Sequence, residues 1–332
     1  MSIAKNIIIR TNFVVFLSAF FFSTSICSAN ESICSVNENC DPEKEKEAQQ
    51  EEKKEEKKED KKEDKKEEEP PKIGNFALPT SQQPGPLVSF GQNIIDQNQT
   101  VFVLYADDFI GSKKRTADVL PGVLYGVRDD LSVFFNVPFA ANYKDGRTHS
   151  SGLEDIFVQL EYAFYSTKTS THTNQATVVG YATAPSGSTK KQPATGLGSS
   201  SFFLGATFNR MYTDWLFFTS HGVLLTTSFD RTKFGNEFLY QAGIGRNILT
   251  IDSEWIFAWL IEADGQYTEK SKIKGRTDPD SGGNVVYMIP SLFVSSKKFL
   301  IQVGIGLPVA QHLFGSQKKN NYVLALDFRW TF

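Results

Sequence analysis

Cysteine, methionine, histidine and tryptophan are scarce, with three, three, four and four residues in a chain of 332. His149, His172, His221 and His312 stand apart from one another and from the cysteines, so no metal-ligand spacing exists, and neither a phosphate loop nor a dinucleotide fingerprint is present. No metal or other cofactor is expected. Hydrolases that pair a histidine with a serine lack their spacing too, since Gly222-Val223 follows His221 without a serine two places on. What is left is a weak dyad of His312 with Asp107 or Asp108 across one rim, and the chain does not read as an enzyme. A net charge of only -3 points to no nucleic acid. After the first 30 residues nothing supplies the roughly 18 consecutive apolar residues of a spanning helix, which excludes a helical membrane bundle.

The charge that is present is concentrated. Residues 43–69 hold 14 acids against 10 lysines and no aromatic or branched apolar side chain. Its core, EEKKEEKKEDKKEDKKEEE at 51–69, repeats every four residues, so a helix would stack like charges at each i,i+4 step, and Pro70-Pro71 would end it. With nothing to bury, 43–71 is expected to be a disordered tether, either a periplasmic spacer touching cell wall or a partner, or a solvated tail. Ahead of it, Lys5 and Arg10 precede an apolar run at 13–22 and a small-residue tract ending at Ala29, the order of a cleaved signal peptide spanning 1–29. Cleavage leaves Cys34 and Cys40 in the short segment 30–42. In an oxidising compartment a disulfide between them is preferred over two free thiols.

From Thr100 to Phe332 the chain falls into twelve runs of about ten or more residues, the length of a tilted membrane strand. In the last run Tyr322, Leu324, Leu326, Phe328, Trp330 and Phe332 share one face while Val323, Ala325, Asp327, Arg329 and Thr331 share the other. The fourth and eleventh runs alternate as clearly; the seventh and tenth are ambiguous. Connections alternate between loops of 4 to 14 residues and turns of 3 to 8, as in outer-membrane barrels with short periplasmic turns. The fold expected is all-β: a closed antiparallel transmembrane β-barrel of twelve strands over 100–332, with both termini at the periplasmic side. The first turn, Arg128 to Asp130, would pair Leu131 with Val127, Val133 with Tyr125 and Phe135 with Val123. Pro121 and Pro138 then fall on neighbouring rungs and predict a bulge or weak seam, a plain irregularity or a lateral exit for apolar solutes. The lead-in 72–99 is long enough to enter the barrel as a partial plug, or to remain loose chain.

Alternate aromatics ending in Phe332 resemble the assembly signal of Gram-negative outer-membrane proteins, which implies the barrel assembly machinery as a partner and the outer membrane as location. GLEDIFVQLEYAFY at 152–165 and ATAPSGSTKKQPATGLGSSSFFLGATFNR at 182–210 resemble the outer-membrane barrels grouped under the meta (MetA) pathway of phenol degradation, labelled as transporters. The likeness covers about 230 residues in layout. Glu154 stands where that family has a glycine and Glu161 where it has a basic residue. The resemblance implies passage of aromatic compounds.

The six longer loops carry 13 Lys or Arg against 4 Asp. A basic rim attracts lipopolysaccharide phosphates or anionic solutes. Behind it, Asp155, Gln159, Glu161, Glu237, Gln241, Glu262, Asp264, Gln302, Asp327 and Arg329 are candidate lumen-lining groups, either an ion-pair lattice stiffening the wall or a polar solute path. Twelve strands lie between side-chain-filled barrels of eight and open porins of sixteen or more, so the lumen should be narrow. The expected function is a passive channel or uptake protein for small, aromatic or hydrophobic solutes. The alternative is a structural protein whose barrel anchors surface loops outside and a charged arm inside.

Overall fold

The computed structural model describes residues 69–332, so the leader 1–29, the Cys34–Cys40 pair and the charged run up to residue 68 lie outside the described residues. No α-helix occurs among the described residues. In chain order the strands are β1 Thr100–Gly111, β2 Lys114–Arg128, β3 Leu131–Asn136, β4 Phe139–Asp145, β5 Thr148–Leu153, β6 Ile156–Lys168, β7 His172–Ala184, β8 Ser201–Tyr212 and β9 Trp215–Thr226. They continue with β10 Ser228–Phe229, β11 Thr232–Lys233, β12 Glu237–Ile251, β13 Trp255–Thr268, β14 Lys272–Ile273, β15 Arg276–Thr277, β16 Gly283–Ser296, β17 Phe299–Leu313 and β18 Asn320–Thr331. β3 with β4 and β5 with β6 each form one interrupted stave, so the wall is a closed antiparallel barrel of 12 staves. Closure joins β1 to β18 from Val101 opposite Thr331 to Ile110 opposite Tyr322.

Lipid explains the outer face. In β8, Phe202 and Leu204 are 51% and 66% exposed while Phe203 between them is 4% exposed. Large apolar groups left this open on a dozen strands are stable only against hydrocarbon. All four tryptophans, Trp215, Trp255, Trp259 and Trp330, lie toward the short-turn end of their strands. There Trp215 packs edge-on to Trp259 at 6.1 Å and Arg246 covers Trp215 at 5.2 Å. Such aromatic belts mark a membrane–water interface.

Three expectations of local pairing are corrected. Val133 does face Tyr125 and Phe135 faces Val123, but Leu131 lies opposite Arg128, because a bulge at Val127 absorbs one residue. Residues 143–152, expected as a loop, continue β4 and β5 as a hairpin up to Asp145 opposite Thr148. The two longer loops after β9 and β13 carry their own sheet, in the order β10-β11-β14-β15. At the proline seam the third stave breaks at Val137-Pro138 and the fourth at Glu154-Asp155, yet Val137 N–H donates to Pro121 O at 3.0 Å and Glu154 N–H to Pro138 O at 3.0 Å. These bonds bridge a seam in which the regular ladder stops at Gly122 opposite Asn136 and resumes at Val119 opposite Phe139, the irregularity expected of the two prolines.

The inner face is not simply polar. Residues 73–99 run inside the barrel, and their apolar side chains complete four inward clusters. Phe76 and Leu78 pack with Leu216, Phe218, Ile256 and Phe293; Leu87 packs with Tyr287, Ile289 and Val323. Ile95 packs with Val101, Val103, Leu124 and Phe134, and Phe90 with Val179, Phe203 and Leu224. Each such burial stabilises by about 1.5–3 kcal/mol, which is why this segment stays in the lumen.

Candidate functional site

The site is the lumen and the segment that fills it. At the short-turn end the plug is tied at both of its ends. Asn75 N–H donates to Thr213 O at 2.7 Å and its side-chain amide to Tyr212 O at 3.0 Å. The Gln82 amide bridges the hydroxyls of Thr331 and Ser295. On the far side Asn98 N–H donates to Gly126 O at 2.8 Å, and Gln97 N–H to Asp129 Oδ1 at 2.8 Å, just before β1 starts. Gly126 is required there, because a Cβ would stand 2.1 Å from Asp96 O.

Between these ties residues 83–95 rise into the lumen and return, and their backbone donors are met by side chains of the wall. Glu262 on β13 accepts from Leu87 N–H at 2.5 Å, Val88 N–H at 3.2 Å, and the Ser89 N–H and hydroxyl at 3.0 Å each. Gln241 on β12 accepts from Phe90 N–H at 3.1 Å, and Ser220 on β9 donates to Phe90 O. Across the barrel Glu161 on β6 accepts from the Asn93 backbone at 2.9 Å and its side chain at 2.8 Å, and Ser132 accepts from Ile95 N–H at 3.1 Å. A strand-like segment without a sheet partner is thereby satisfied by two carboxylates, an amide and two hydroxyls.

The structure places the ten candidate lumen groups as follows. Gln159, Glu161, Glu237, Gln241, Glu262, Asp264, Gln302 and Asp327 are all buried inside the barrel. Gln159 donates to Glu161 at 2.6 Å, Gln241 to Asp264 at 2.5 Å, and Gln302 to Ser291 at 2.9 Å. Arg329 donates to Asp327 at 2.9 Å and to the Tyr105 hydroxyl at 2.6 Å, with its guanidinium over the Tyr105 ring at 5.7 Å. Asp155 lies apart from this group. Its two oxygens accept from Gly187 N–H at 2.9 Å and Leu197 N–H at 2.7 Å, holding the 185–200 loop. The His312 dyad is not what these residues form: Asp108 is engaged by Arg115 at 2.6 Å, and the His312 ring packs edge-on to Phe314 at 6.1 Å.

Missed in the sequence was an aromatic ribbon around half of the inner wall. Tyr105, Phe134, Phe157, Tyr181 and Phe203 stand on β1, β3, β6, β7 and β8, and Phe90 of the plug ends the row. Successive ring centroids are 6.3, 5.9, 5.5, 4.8 and 4.7 Å apart. With Leu120, Leu326 and the plug crest at Leu87–Gly91, part of this ribbon lines a cavity of about 180 Å³ on the long-loop side of the plug. A volume of about 150 Å³ lined by apolar groups admits one benzene ring, so this chamber is large enough for a small aromatic molecule. On the short-turn side a second space, lined by Gln302, Asp327, Arg329 and the other side of the plug, measures only about 50 Å³. The plug separates the two.

This architecture has solved counterparts. The COG4313 outer membrane channel from Pseudomonas putida F1 shares the fold, with a TM-score of 0.58 over 75% of this chain and 99% of that chain, at 14% identity. NanC porin aligns with a TM-score of 0.43 at 8% identity over 70% of this chain and 100% of that one. LpxR from Salmonella typhimurium aligns with a TM-score of 0.42 at 7% identity over 70% and 100%. At 14% identity the likeness to the Pseudomonas putida channel concerns the fold alone. No family model matches the sequence, and no curated protein matches it.

Proposed function

We propose that the protein is a passive outer-membrane channel that takes up small aromatic or hydrophobic solutes. The observation that carries this is the aromatic-lined chamber facing the long loops, behind a rim rich in lysine and arginine. A planar ring entering there meets Phe134 and Phe157 edge and face, contacts of about 0.5–1.5 kcal/mol each beyond area burial. Gln159 borders the same space, and its amide supplies a hydrogen-bonding group for a phenolic oxygen. The basic rim fits phosphates of outer-leaflet lipopolysaccharide, and the carboxy-terminal strand fits the barrel assembly machinery. An exported precursor with a cleaved leader, a Cys34–Cys40 disulfide and a charged arm reaching periplasmic partners complete the reading.

A second reading rests on the plug itself: a lumen filled by its own chain suits a barrel that anchors surface loops and transports nothing. Uptake of phenol and toluene against glucose by proteoliposomes decides between them. Aromatic uptake well above protein-free vesicles, with little glucose entry, supports the channel. Vesicles as tight as the control support the anchor.

A further inference from the structure

We infer that residues 83–95 are a gate that opens by folding away from the wall while both ends of the plug stay tied, and that Glu262 and Glu161 are its latches. The inference rests on the channel reading, because a gate needs a path to close. Its basis is the uneven distribution of anchors. The rim ties at Asn75, Gln82, Gln97 and Asn98 join backbone or side chains of the lead-in to the short-turn end of the wall. The crest instead hangs on side chains from opposite walls, chiefly one carboxylate that gathers four donors and another that gathers two.

The crest is also built to bend. Pro84-Gly85-Pro86 forms its rising shoulder, and a Cβ at Gly85 would meet nothing within 4 Å. At the top Gly91 and Gln92 are both left-handed, with φ of +82° and 65°, a conformation that costs energy at Gln92 and persists only while neighbours hold it. The same crest floors the aromatic chamber on one side and roofs the small space on the other, with Pro86 lining both. Swinging it aside joins the two. Carboxylate latches suit this purpose because charge-assisted bonds are strong yet are made to backbone donors that find new partners in water once released.

The test uses the full chain in planar bilayers, with Cys27, Cys34 and Cys40 replaced by serine. A Cβ at Gly91 would lie 3.6 Å from the Thr207 Cβ, inside the span of a disulfide, so G91C with T207C locks the crest to β8. The reduced double variant serves as its own control for the strain of cysteine at a left-handed position. Openings that vanish on oxidation and return with dithiothreitol are expected; openings unaffected by oxidation overturn the gate. In the unlocked protein E161Q with E262Q should raise opening frequency on the order of tenfold, since neutral amides hold the crest less strongly. A second readout does not need conduction: labelling of L87C by a water-soluble maleimide should speed up in the E161Q/E262Q background. Silent bilayers with faster labelling remove the channel reading and leave the moving crest; labelling that ignores both latches removes the gate.

Discussion

At the residue scale the lumen depends on a few groups whose neighbours cannot adjust. Gly126 touches the returning plug so closely that a methyl group would overlap Asp96 O. Gly126→Val should therefore detach the carboxy-terminal tie of the plug, lowering the temperature at which the folded band is lost in unheated electrophoresis while leaving membrane insertion intact. Phe157 is the hinge of the aromatic ribbon, 5.9 Å from Phe134 and 5.5 Å from Tyr181. Replacing it with alanine removes both contacts and widens the chamber that Phe157 already borders, at a cost below the about 3–5 kcal/mol of a fully packed phenylalanine. Aromatic uptake should fall by more than the uptake of a small aliphatic alcohol; equal losses would show that the ring serves packing alone.

Among the elements, the outer face was legible and the inner one only partly. β18, β17 and β6 alternate because lipid demands an apolar residue at every second position, and that demand is written into each strand separately. β9 and β16 read ambiguously for a physical reason that the fold makes plain. Leu216 and Phe218 on β9, and Tyr287, Ile289 and Phe293 on β16, face inward against Phe76, Leu78 and Leu87 of the plug, so both faces of these strands are apolar. The doubtful strands are two of those that meet the plug with apolar side chains, and doubly apolar strands were the available signal of a filled barrel. The plug's course was hidden because its polar contacts are backbone donors reaching carboxylates 68 to 175 residues away. Residues 143–152 are polar enough to resemble a loop, whereas 143–145 pair with β2 and 148–152 pair back onto β4. The loop at 185–200 depends on Asp155, whose two oxygens hold backbone donors at either end of it. Asp155→Ala should expose that loop to limited proteolysis at Lys190 and Lys191 several-fold faster, with the barrel core unaffected.

For the molecule as a whole, charge follows position. Glu161, Glu237, Glu262, Asp264 and Asp327 are buried within the barrel and only Arg329 opposes them among the described residues of that group, while the loops carry the excess of lysine and arginine. An open pore lined by these acids should favour cations, and a potassium chloride gradient should give a reversal potential of the corresponding sign. Neutralising Glu237 and Asp264 should reduce that preference; if it persisted unchanged, the wall acids would be structural only.

One consequence concerns the closing of the barrel. The Gln82 side chain touches Thr331, next to the last residue of the chain, and Phe332 N–H donates to Thr100 O where the lead-in becomes the first strand. The plug and the closing seam thus share one corner of the barrel, so loosening the Gln82 tie also loosens the place where the last strand meets the first.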